Sequence, residues 1–501
     1  MRHGMTGWLI TLMVASWALA QPRVVQYPLG VPGRETIDAG SVTVADDGIS
    51  VAFWEGVIHG RTQHHATAAP GQTVRIVHNT QPGRDWHLVS RPILSRDGRR
   101  IFYVASDGRN IYPVLDGRAY DLQLEGVCDE PVFSDDGSTL AFVGKLQNGR
   151  HQLFVNLRPV GQPHEKISRL VLSPNGERSM AMVQRGERCR IMLDGQLRRE
   201  WDGIGVKTAR FSPDGRRFTY AAHVGDQWFY IIDDDTIGPF SGLYAPGVVF
   251  SHDSRRVAYR AAEWPYPSNI QSWDADGNLL MGGQRIFIDG QIGPATANIP
   301  VRFLLASDQP LWVEAGPSRQ RVVIGDRPSE WFDEISHLST SPNGIGIAYV
   351  GARAGKRQVI LNGQVISTHD EIAHLSLSAD GHAIAVAVIE NGKAVVYHNG
   401  RAGARHDETL MLAISPDGRH VAYWGKSQGR ARLVVNERAG DGYEAPLPGS
   451  KIVWRSPDEF SALARVGGTI HRIDGRLDGQ PPTAQVEPEK RRESSRVRVR
   501  R

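Results

Sequence analysis

The chain has 501 residues, 58 of them lysine or arginine and 54 aspartate or glutamate, and its formal net charge is +4. Apolar residues make up 40% and there are 54 glycines and 29 prolines, which excludes a disordered chain and is typical of a globular protein rich in strands and turns. The length predicts two or more domains. Two cysteines, Cys128 and Cys189, are too few for a disulfide scaffold, and we expect buried free thiols rather than one disulfide.

Residues 1–20 have the pattern of a secretory signal peptide. Arg2 and His3 precede an apolar run over residues 8–17, and Ala18-Leu19-Ala20 is an A-x-A cleavage pattern. The run is about half the roughly 20 residues that a membrane-spanning helix needs. The sequence therefore predicts cleavage near Ala20 and an exported protein, periplasmic or secreted, without a transmembrane segment.

A four-residue turn motif then recurs along the chain. The clear copies are Ser95-Arg96-Asp97-Gly98, Ser134-Asp135-Asp136-Gly137, Ser173-Pro174-Asn175-Gly176, Ser212-Pro213-Asp214-Gly215, Ser251-His252-Asp253-Ser254, Ser341-Pro342-Asn343-Gly344, Ser378-Ala379-Asp380-Gly381 and Ser415-Pro416-Asp417-Gly418. The step is 39 residues from the first copy to Ser254 and 37 residues from Gly344 to Gly418. With degenerate copies near residues 45, 307 and 456, about eleven units are predicted.

Each unit has the same internal order. A short apolar strand leads into the turn, an alternating strand such as Arg255-Arg256-Val257-Ala258-Tyr259 follows, and a third strand ends at Asp-Gly or Asn-Gly, as at Asn362-Gly363. A more polar fourth strand completes the unit. Four antiparallel strands that cannot bury both faces alone predict a blade of an all-β propeller.

The Ser-Pro-Asp-Gly turn followed by Arg-x-Val-Ala-Tyr resembles the WD-like propeller repeat of the TolB kind, over nearly all of residues 41–478. The resemblance implies a propeller fold and an exported bacterial repeat protein. The chain departs from TolB, which has an α/β domain ahead of its propeller, so a TolB-like role in envelope complexes is in doubt.

Eleven blades exceed the usual four to eight of one ring, so two rings are expected. The periodicity is weakest between Ser254 and Gly344, and residues 293–300 read as a connector. We therefore predict one propeller of about six blades over residues 21–298 and another of about five over residues 299–480. Residues 23–27 could serve as a strand that completes a late blade.

Two long insertions are predicted in second loops, over residues 56–71 and 262–283. Both would lie on the face that carries the links between blades, and binding usually resides in such loops. The first loop contains His59, His64 and His65, which are candidate ligand-binding residues. Three histidines could chelate zinc or copper, but the favoured interpretation is solvated loop histidines, and metal binding is unknown.

The second loop contributes Trp264, Tyr266 and Trp273 as candidate ligand-binding residues. Exposed aromatic rings stack on sugars or pack on a partner protein. The favoured alternative is that they pack down on the propeller itself. No catalytic residue, cofactor or phosphate-binding motif is identified, and His369-Asp370 and His406-Asp407 are interpreted as one structural position in consecutive blades.

Residues 481–501 are predicted to form a basic, disordered tail. Seven lysines and arginines outnumber three glutamates there, so weak contact with an anionic surface is an alternative to plain solvation. Overall, the sequence predicts an exported scaffold for a protein or carbohydrate partner, and no nucleic-acid binding. The alternative is a propeller enzyme such as a polysaccharide lyase or glycoside hydrolase, whose carboxylates the sequence does not single out.

Overall fold

The computed structural model describes residues 23–29, 41–62, 64–205, 207–244, 246–263, 284–466 and 469–478. All the regular elements in these ranges are β-strands. No helix among them is long and apolar enough to cross a membrane. The predicted signal peptide (1–20) and basic tail (481–501) lie outside the described residues.

The chain forms eleven four-stranded units, which we number as blades 1 to 11 in chain order. There are fifty strands in the described residues because several inner strands are interrupted and count as two, and because blade 1 has an inserted hairpin. The first strand, β1 (Arg23–Pro28), stands apart from blade 1. Blade 1 contains β2 (Thr43–Val44), β3 (Val51–Gly56), an inserted hairpin of β4 (Ile58–Arg61) and β5 (His65–Ala68), β6 (Val74–His78) and β7 (Gln81–Pro82). Blade 2 contains β8 (Leu88–Ser90), β9 (Ile93–Leu94), β10 (Ile101–Ser106), β11 (Ile111–Leu115) and β12 (Arg118–Ala119). Blade 3 contains β13 (Leu124–Val127), β14 (Val132–Phe133), β15 (Leu140–Leu146), β16 (His151–Val155) and β17 (Arg158–His164). Blade 4 contains β18 (Lys166–Leu172), β19 (Ser179–Arg185), β20 (Arg188–Leu193) and β21 (Gln196–Trp201).

The middle of the chain continues the pattern. Blade 5 contains β22 (Gly203–Ile204), β23 (Arg210–Phe211), β24 (Phe218–Val224), β25 (Gln227–Ile232) and β26 (Asp235–Leu243). Blade 6 contains β27 (Val249–Phe250), β28 (Val257–Glu263), β29 (Gln284–Ile288) and β30 (Gln291–Ala295), and blade 7 contains β31 (Arg302–Phe303), β32 (Pro310–Ala315), β33 (Gln320–Ile324) and β34 (Arg327–Pro328).

The last four blades follow. Blade 8 contains β35 (Glu334–Thr340), β36 (Ile347–Arg353), β37 (Lys356–Leu361) and β38 (Gln364–His369), and blade 9 contains β39 (Ile372–Leu377), β40 (Ile384–Glu390), β41 (Lys393–His398) and β42 (Arg401–His406). Blade 10 contains β43 (Glu408–Ile414), β44 (Val421–Ser427), β45 (Arg430–Val435) and β46 (Arg438–Tyr443), and blade 11 contains β47 (Ala445–Pro446), β48 (Val453–Trp454), β49 (Glu459–Val466) and β50 (Thr469–Arg476). The prediction of an all-β propeller of about eleven four-stranded blades is confirmed.

The amino-terminal strand completes the last blade. β1 pairs antiparallel with β50, from Arg23 opposite Arg476 to Pro28 opposite His471. Blade 11 therefore takes its outer strand from the other end of the chain. This confirms the prediction that residues 23–27 complete a late blade.

The repeated serine explains why each first turn has the same shape. In blade 5 the Ser212 hydroxyl donates to Asp214 Oδ1 at 2.5 Å and accepts the Arg217 backbone N–H at 2.9 Å. Ser212 is fully buried, so the turn needs these bonds to satisfy its hydroxyl. Gly215 has a φ of +74°, which favours glycine at the end of the turn.

A hydrophobic core lies between each blade and the next one along the chain. Blades 6 and 7 are joined in this way by Ile286, Phe303 and Trp312. Blades 11 and 1 are joined by Leu463 and Phe53. The packing order is therefore cyclic and runs through all eleven blades.

This order does not support the expected division into two rings at residue 298. That position lies in the link between blades 6 and 7, as predicted. Two separate rings would require cores between blades 1 and 6 and between blades 7 and 11. None of the core clusters formed by the described residues joins those pairs.

Neighbouring blades are also joined by polar contacts, and these take two forms. In blade 5, Arg217 Nε contacts Asp233 of its own blade at 3.0 Å, and Nη1 donates to the backbone carbonyls of Ser254 and Arg255 in blade 6. Its guanidinium also lies 5.2 Å from the ring centroid of Phe250. Equivalent arginines are Arg100, Arg178 and Arg256.

Blade 8 has Gly346 at the position equivalent to Arg217. A Cβ on this glycine would meet Gly381 Cα of blade 9 at 2.4 Å, so the two backbones touch directly. The Asn362 side chain makes the polar contact instead, donating from Nδ2 to the Gly381 carbonyl at 3.0 Å and accepting the Ile347 N–H at 2.9 Å.

Candidate functional site

The inner strands of blades 2 and 3 are interrupted. β8 ends at Ser90 and β9 begins at Ile93, with Pro92 between them, and β13 and β14 are separated by a segment that contains Pro131. Proline cannot donate a hydrogen bond to a ladder, so it favours such a break. The gap in blade 2 opens the face of the strand behind it, β10.

A cavity of about 910 Å³ lies along these interrupted strands, between the inner edges of blades 1, 2 and 3. Its size is within the range of ligand sites in proteins. Its lining residues are Thr43, Val44, Ala45, Asp46, His64, Ser90, Arg91, Pro92, Ile93, Leu94, Arg96, Phe102, Val104, Val127, Cys128, Asp129, Glu130, Pro131, Phe133, Ser134 and Asp135. It is the candidate functional site.

The cavity has an apolar part and an ionisable part. Val44, Ile93 and Val104 belong to the apolar part, together with the rings of Phe102 and Phe133. None of the lining residues is tryptophan or tyrosine. The lining is therefore mixed: aliphatic side chains lie beside ionisable ones, and its aromatic rings are those of Phe102 and Phe133.

Arg96 joins the first turns of three blades at the cavity. Its guanidinium lies 3.8 Å from Asp46 of blade 1 and 3.8 Å from Asp135 of blade 3. All three side chains are more than half exposed, so these ion pairs contribute little stability. Asp129 and Glu130 also line the cavity, and neither forms an ion pair with any described residue. The rim thus carries two carboxylates that are available to a ligand.

The first predicted loop is a β-hairpin, β4–β5, and not an irregular loop. β5 pairs with β8, with His65 opposite Ser90 and Thr67 opposite Leu88. The hairpin therefore extends the inner edge of blade 2. It places exposed His64 at the cavity, where the His64 carbonyl accepts the Arg91 backbone N–H at 2.7 Å.

The other two loop histidines are arranged differently. The ring of half-buried His65 hydrogen-bonds the Thr62 hydroxyl at 3.0 Å, while His59 lies exposed on β4. Neither lines the cavity. No group of three or more His, Cys, Asp or Glu side chains in the described part of the chain is arranged to hold a metal ion. The aromatic candidates Trp264, Tyr266 and Trp273 lie outside the described residues.

Cys128 was expected to be buried, but it is exposed at the cavity, whereas Cys189 is buried; both are free. Cys128 is exposed because it lies in the break between β13 and β14. Partial burial raises the pKa of the Cys128 thiol, Asp129 and Glu125 act in the same direction, and Lys145 opposes them. The thiol is therefore protonated at neutral pH and is a poor nucleophile.

The two His-Asp pairs occupy one structural position in consecutive blades, as interpreted from their spacing. The His369 ring lies 5.2 Å from the Tyr397 ring and the His406 ring 5.6 Å from the Tyr423 ring. Asp370 and Asp407 pair with lysines of their own blades. These contacts are structural.

The chain matches no protein-family model, and none of the curated proteins matches it. Solved structures similar to it include a eukaryotic initiation factor (10% identity, 67% of this chain and 94% of that chain, TM-score 0.37) and the Dos1 propeller (11%, 71% and 93%, TM-score 0.29). The β-propeller domain of the Trilobed protease from Pyrococcus furiosus is another (13%, 63% and 97%, TM-score 0.25). Because these TM-scores are low, the class of the protein, a multi-bladed β-propeller, rests on its own sheets and cores.

Sequence reasoning found one lining residue, His64, and missed the inner strands. Ile93, Phe102 and Val104 have the pattern of ordinary core residues. The available signal was Pro92 and Pro131, two prolines at inner-strand positions of consecutive units, where a proline interrupts the ladder.

Proposed function

We propose that this chain is an exported, WD-like β-propeller scaffold that binds a protein partner, and that the cavity of blades 1 to 3 receives an apolar side chain of that partner flanked by a basic residue. The proposal includes export through residues 1–20 and the resemblance to TolB-like repeats. Cleavage after Ala20 leaves Gln21 as the first residue, two positions before β1 begins.

One observation carries the choice of ligand: a cavity with an apolar part, which includes Val44, Ile93 and Val104, is bordered by Asp129 and Glu130, which form no ion pair with the described residues. A buried apolar anchor supplies most of the affinity in protein interfaces, and charges at the rim select the partner and its orientation. A glycan is less favoured for this site because the lining has no tryptophan or tyrosine.

The test uses peptides selected from a random library on the purified protein, with affinity measured by fluorescence polarisation. Ile93→Arg places a cation in the cavity and is expected to weaken binding about tenfold or more. The fold should accept it, because Arg210 and Arg302 occupy the equivalent inner-strand positions of blades 5 and 7.

Val171→Arg is the matched control, since Val171 is the equivalent residue in blade 4 and lies outside the cavity. It should bind the selected peptide as the wild type does. Equal loss of binding in both variants, or selection of peptides without apolar residues, would contradict the proposal.

The charge requirement has its own test. Asp129→Asn with Glu130→Gln should remove the preference for lysine or arginine in the selected peptides and reduce the salt dependence of binding, because rim charges are screened by salt. If this variant still selects peptides with lysine or arginine, Asp129 and Glu130 are not the groups that recognise the basic residue.

The four carboxylates that line the cavity are the one observation that favours the enzymatic alternative, a glycoside hydrolase or polysaccharide lyase. Arg96 contacts two of them, which leaves Asp129 and Glu130 for chemistry. Turnover of a polysaccharide panel by the wild type that disappears in the Asp129→Asn, Glu130→Gln variant would support the enzyme over the binding scaffold.

Export is tested separately by expressing the full chain and sequencing the amino terminus of the extracytoplasmic protein. Gln21 is the expected first residue. A full-length cytoplasmic product would contradict export without affecting the binding site.

A further inference from the structure

The outer strand of each blade is an open sheet edge. The outer strands are β7, β12, β17, β21, β26, β30, β34, β38, β42, β46 and, for blade 11, β1. Each of these edges could pair with a strand of another molecule unless its sequence prevents it, and natural proteins use proline, charges, short strands and bulges for that purpose.

Ten of the eleven outer strands contain a proline, a glycine or a formally charged residue. β30 contains Pro294, β21 contains Arg198 and Arg199, and β34 has only two residues, one of them proline. β38 has the sequence Gln-Val-Ile-Ser-Thr-His and contains none of the three. It is six residues long, enough to form a ladder with another strand.

β38 also exposes apolar side chains at the edge. Val365 is 54% exposed and its neighbour Ile366 is 49% exposed. The register with β37 shifts between Val365 and Ser367, so Ile366 is a bulged residue with no partner in that ladder; this bulge is the one protective feature of β38, and outer strands β42 and β46 have it as well as their glycines and charges. No other outer strand in the described residues has two consecutive large aliphatic side chains exposed to this extent.

The charges around β38 fit an antiparallel copy of the same blade. Exposed Arg327 and Arg401 begin the outer strands of the flanking blades, at the end where β38 begins. Exposed Glu371 follows the other end of β38, next to Asp370, which already pairs with Lys356. A two-fold axis through the middle of β38 would bring the arginines of each copy towards Glu371 of the other.

We propose that two copies of this chain associate through β38, strand against strand in antiparallel orientation, so that the two blades 8 form one eight-stranded sheet. The strand carries no formal charge, so the copies meet without like-charge repulsion. The contact is isologous, so it closes at a dimer and does not propagate. It is independent of the cavity in blades 1 to 3.

Sedimentation equilibrium of the mature chain over about 1 to 100 µM tests the proposal. The wild type is expected to be dimeric at the upper end of this range. Ile366→Lys should weaken dimerisation about tenfold or more, because it places two charges at the contact. Ile292→Lys is the matched control: Ile292 is 52% exposed on outer strand β30, next to Pro294.

Cross-linking identifies the strand directly. In a Cys128→Ser background, which removes the exposed native thiol, Val365→Cys, Ile366→Cys and Ser367→Cys are oxidised separately. At least one should form an intermolecular disulfide, and Ile292→Cys should not. A monomer at every concentration, or a dimer that Ile366→Lys and Ile292→Lys affect equally, would overturn the proposal.

Discussion

Blades 4 to 6 and blades 8 to 10 have the same strands but join their neighbours differently. In the first group an arginine such as Arg217 spans the gap to the next blade, bonding two carbonyls and lying over an aromatic ring. In the second group the equivalent residues are Gly346 in blade 8 and Ala383 in blade 9, whereas His420 of blade 10 again reaches the next blade, with its ring 6.2 Å from that of Trp454. At Gly346 the backbones of blades 8 and 9 touch, and Asn362 replaces the long side chain.

The difference shows that the repeat fixes the blade but leaves the contact between blades open to two solutions. An arginine fills a wide gap and satisfies carbonyls across it, whereas a glycine lets the gap close. Each solution excludes the other at that position: the first needs a long side chain, and the second cannot accept even a methyl group.

The largest effect is expected at the close contact. Gly346→Ala should destabilise the protein by about 3 kcal/mol, because the new Cβ would lie 2.4 Å from Gly381 Cα and backbone must move. Urea unfolding measures this change. Ile345→Ala, at the exposed neighbouring residue, is the control and should have almost no effect. Equal stability of Gly346→Ala and the wild type would show that the blades separate freely at this point.

Arg217→Ala should cost about 2 kcal/mol, mainly through the carbonyls of Ser254 and Arg255 that lose their donor. The ion pair with Asp233 contributes less, because that carboxylate is 43% exposed. The same unfolding assay applies. Arg216→Ala, one residue earlier and exposed, should be nearly neutral. If the two variants unfold alike, the arginine contact does not stabilise the ring.

Asn362→Asp should cost about 1 kcal/mol, since the donor to the Gly381 carbonyl is replaced by a carboxylate oxygen. Asn399→Asp is the matched control in blade 9: the Asn399 side chain makes no hydrogen bond to the described residues, and its φ of +51° is retained. A difference between the two midpoints of thermal unfolding measures the contact. No difference would assign the stability of this region to backbone packing alone.

The smallest effect is a pH dependence expected to be strongest in blades 8 and 9, where three of the five described histidines with a lowered pKa lie. Burial lowers the pKa of His369 in blade 8 and of His398 and His406 in blade 9, with nearby acids opposing it at His369 and His406. Below the ordinary imidazole pKa of 6.5 the unfolded chain binds protons that the folded blades do not, so stability falls as the pH drops through 6.5.

Hydrogen exchange at pH 7.5 and pH 5.5, corrected for intrinsic rates, should show opening of blades 8 and 9 increased about threefold at the lower pH. Peptides from blade 5 are the internal reference. A uniform change in all blades would contradict the regional difference.

Much of the fold could be predicted because the Ser-x-Asp-Gly turn and the Asn-Gly turn have strict conformational requirements that recur at fixed spacing. The pairing of β1 with β50 was predictable because residues 23–27 have a strand pattern and an incomplete blade needs one. The number of rings was not, since turn spacing carries no information about which blade faces pack together. Only contacts such as that of Leu463 with the core of blade 1 decide it.

The site was less predictable than the fold. His64 was identified because a histidine in a long insertion is chemically distinctive. Ile93 and Phe102 were not, because an aliphatic residue that lines a cavity has the same sequence pattern as one in a core. Pro92 marks the interruption between β8 and β9 beside the cavity, but Phe102 remains paired with Ile93 and is only 1% exposed, so its sequence pattern is that of a core residue.

Closure through β1 has a consequence for biosynthesis. Arg23 meets Arg476 only after almost the entire polypeptide has left the ribosome, and joining such distant segments is slow and entropically unfavourable. A nascent chain therefore leaves blade 11 incomplete, and the face of blade 1 that packs against it uncovered, until synthesis is almost finished. Any premature stop before β50 would therefore leave the ring open and yield aggregation-prone fragments.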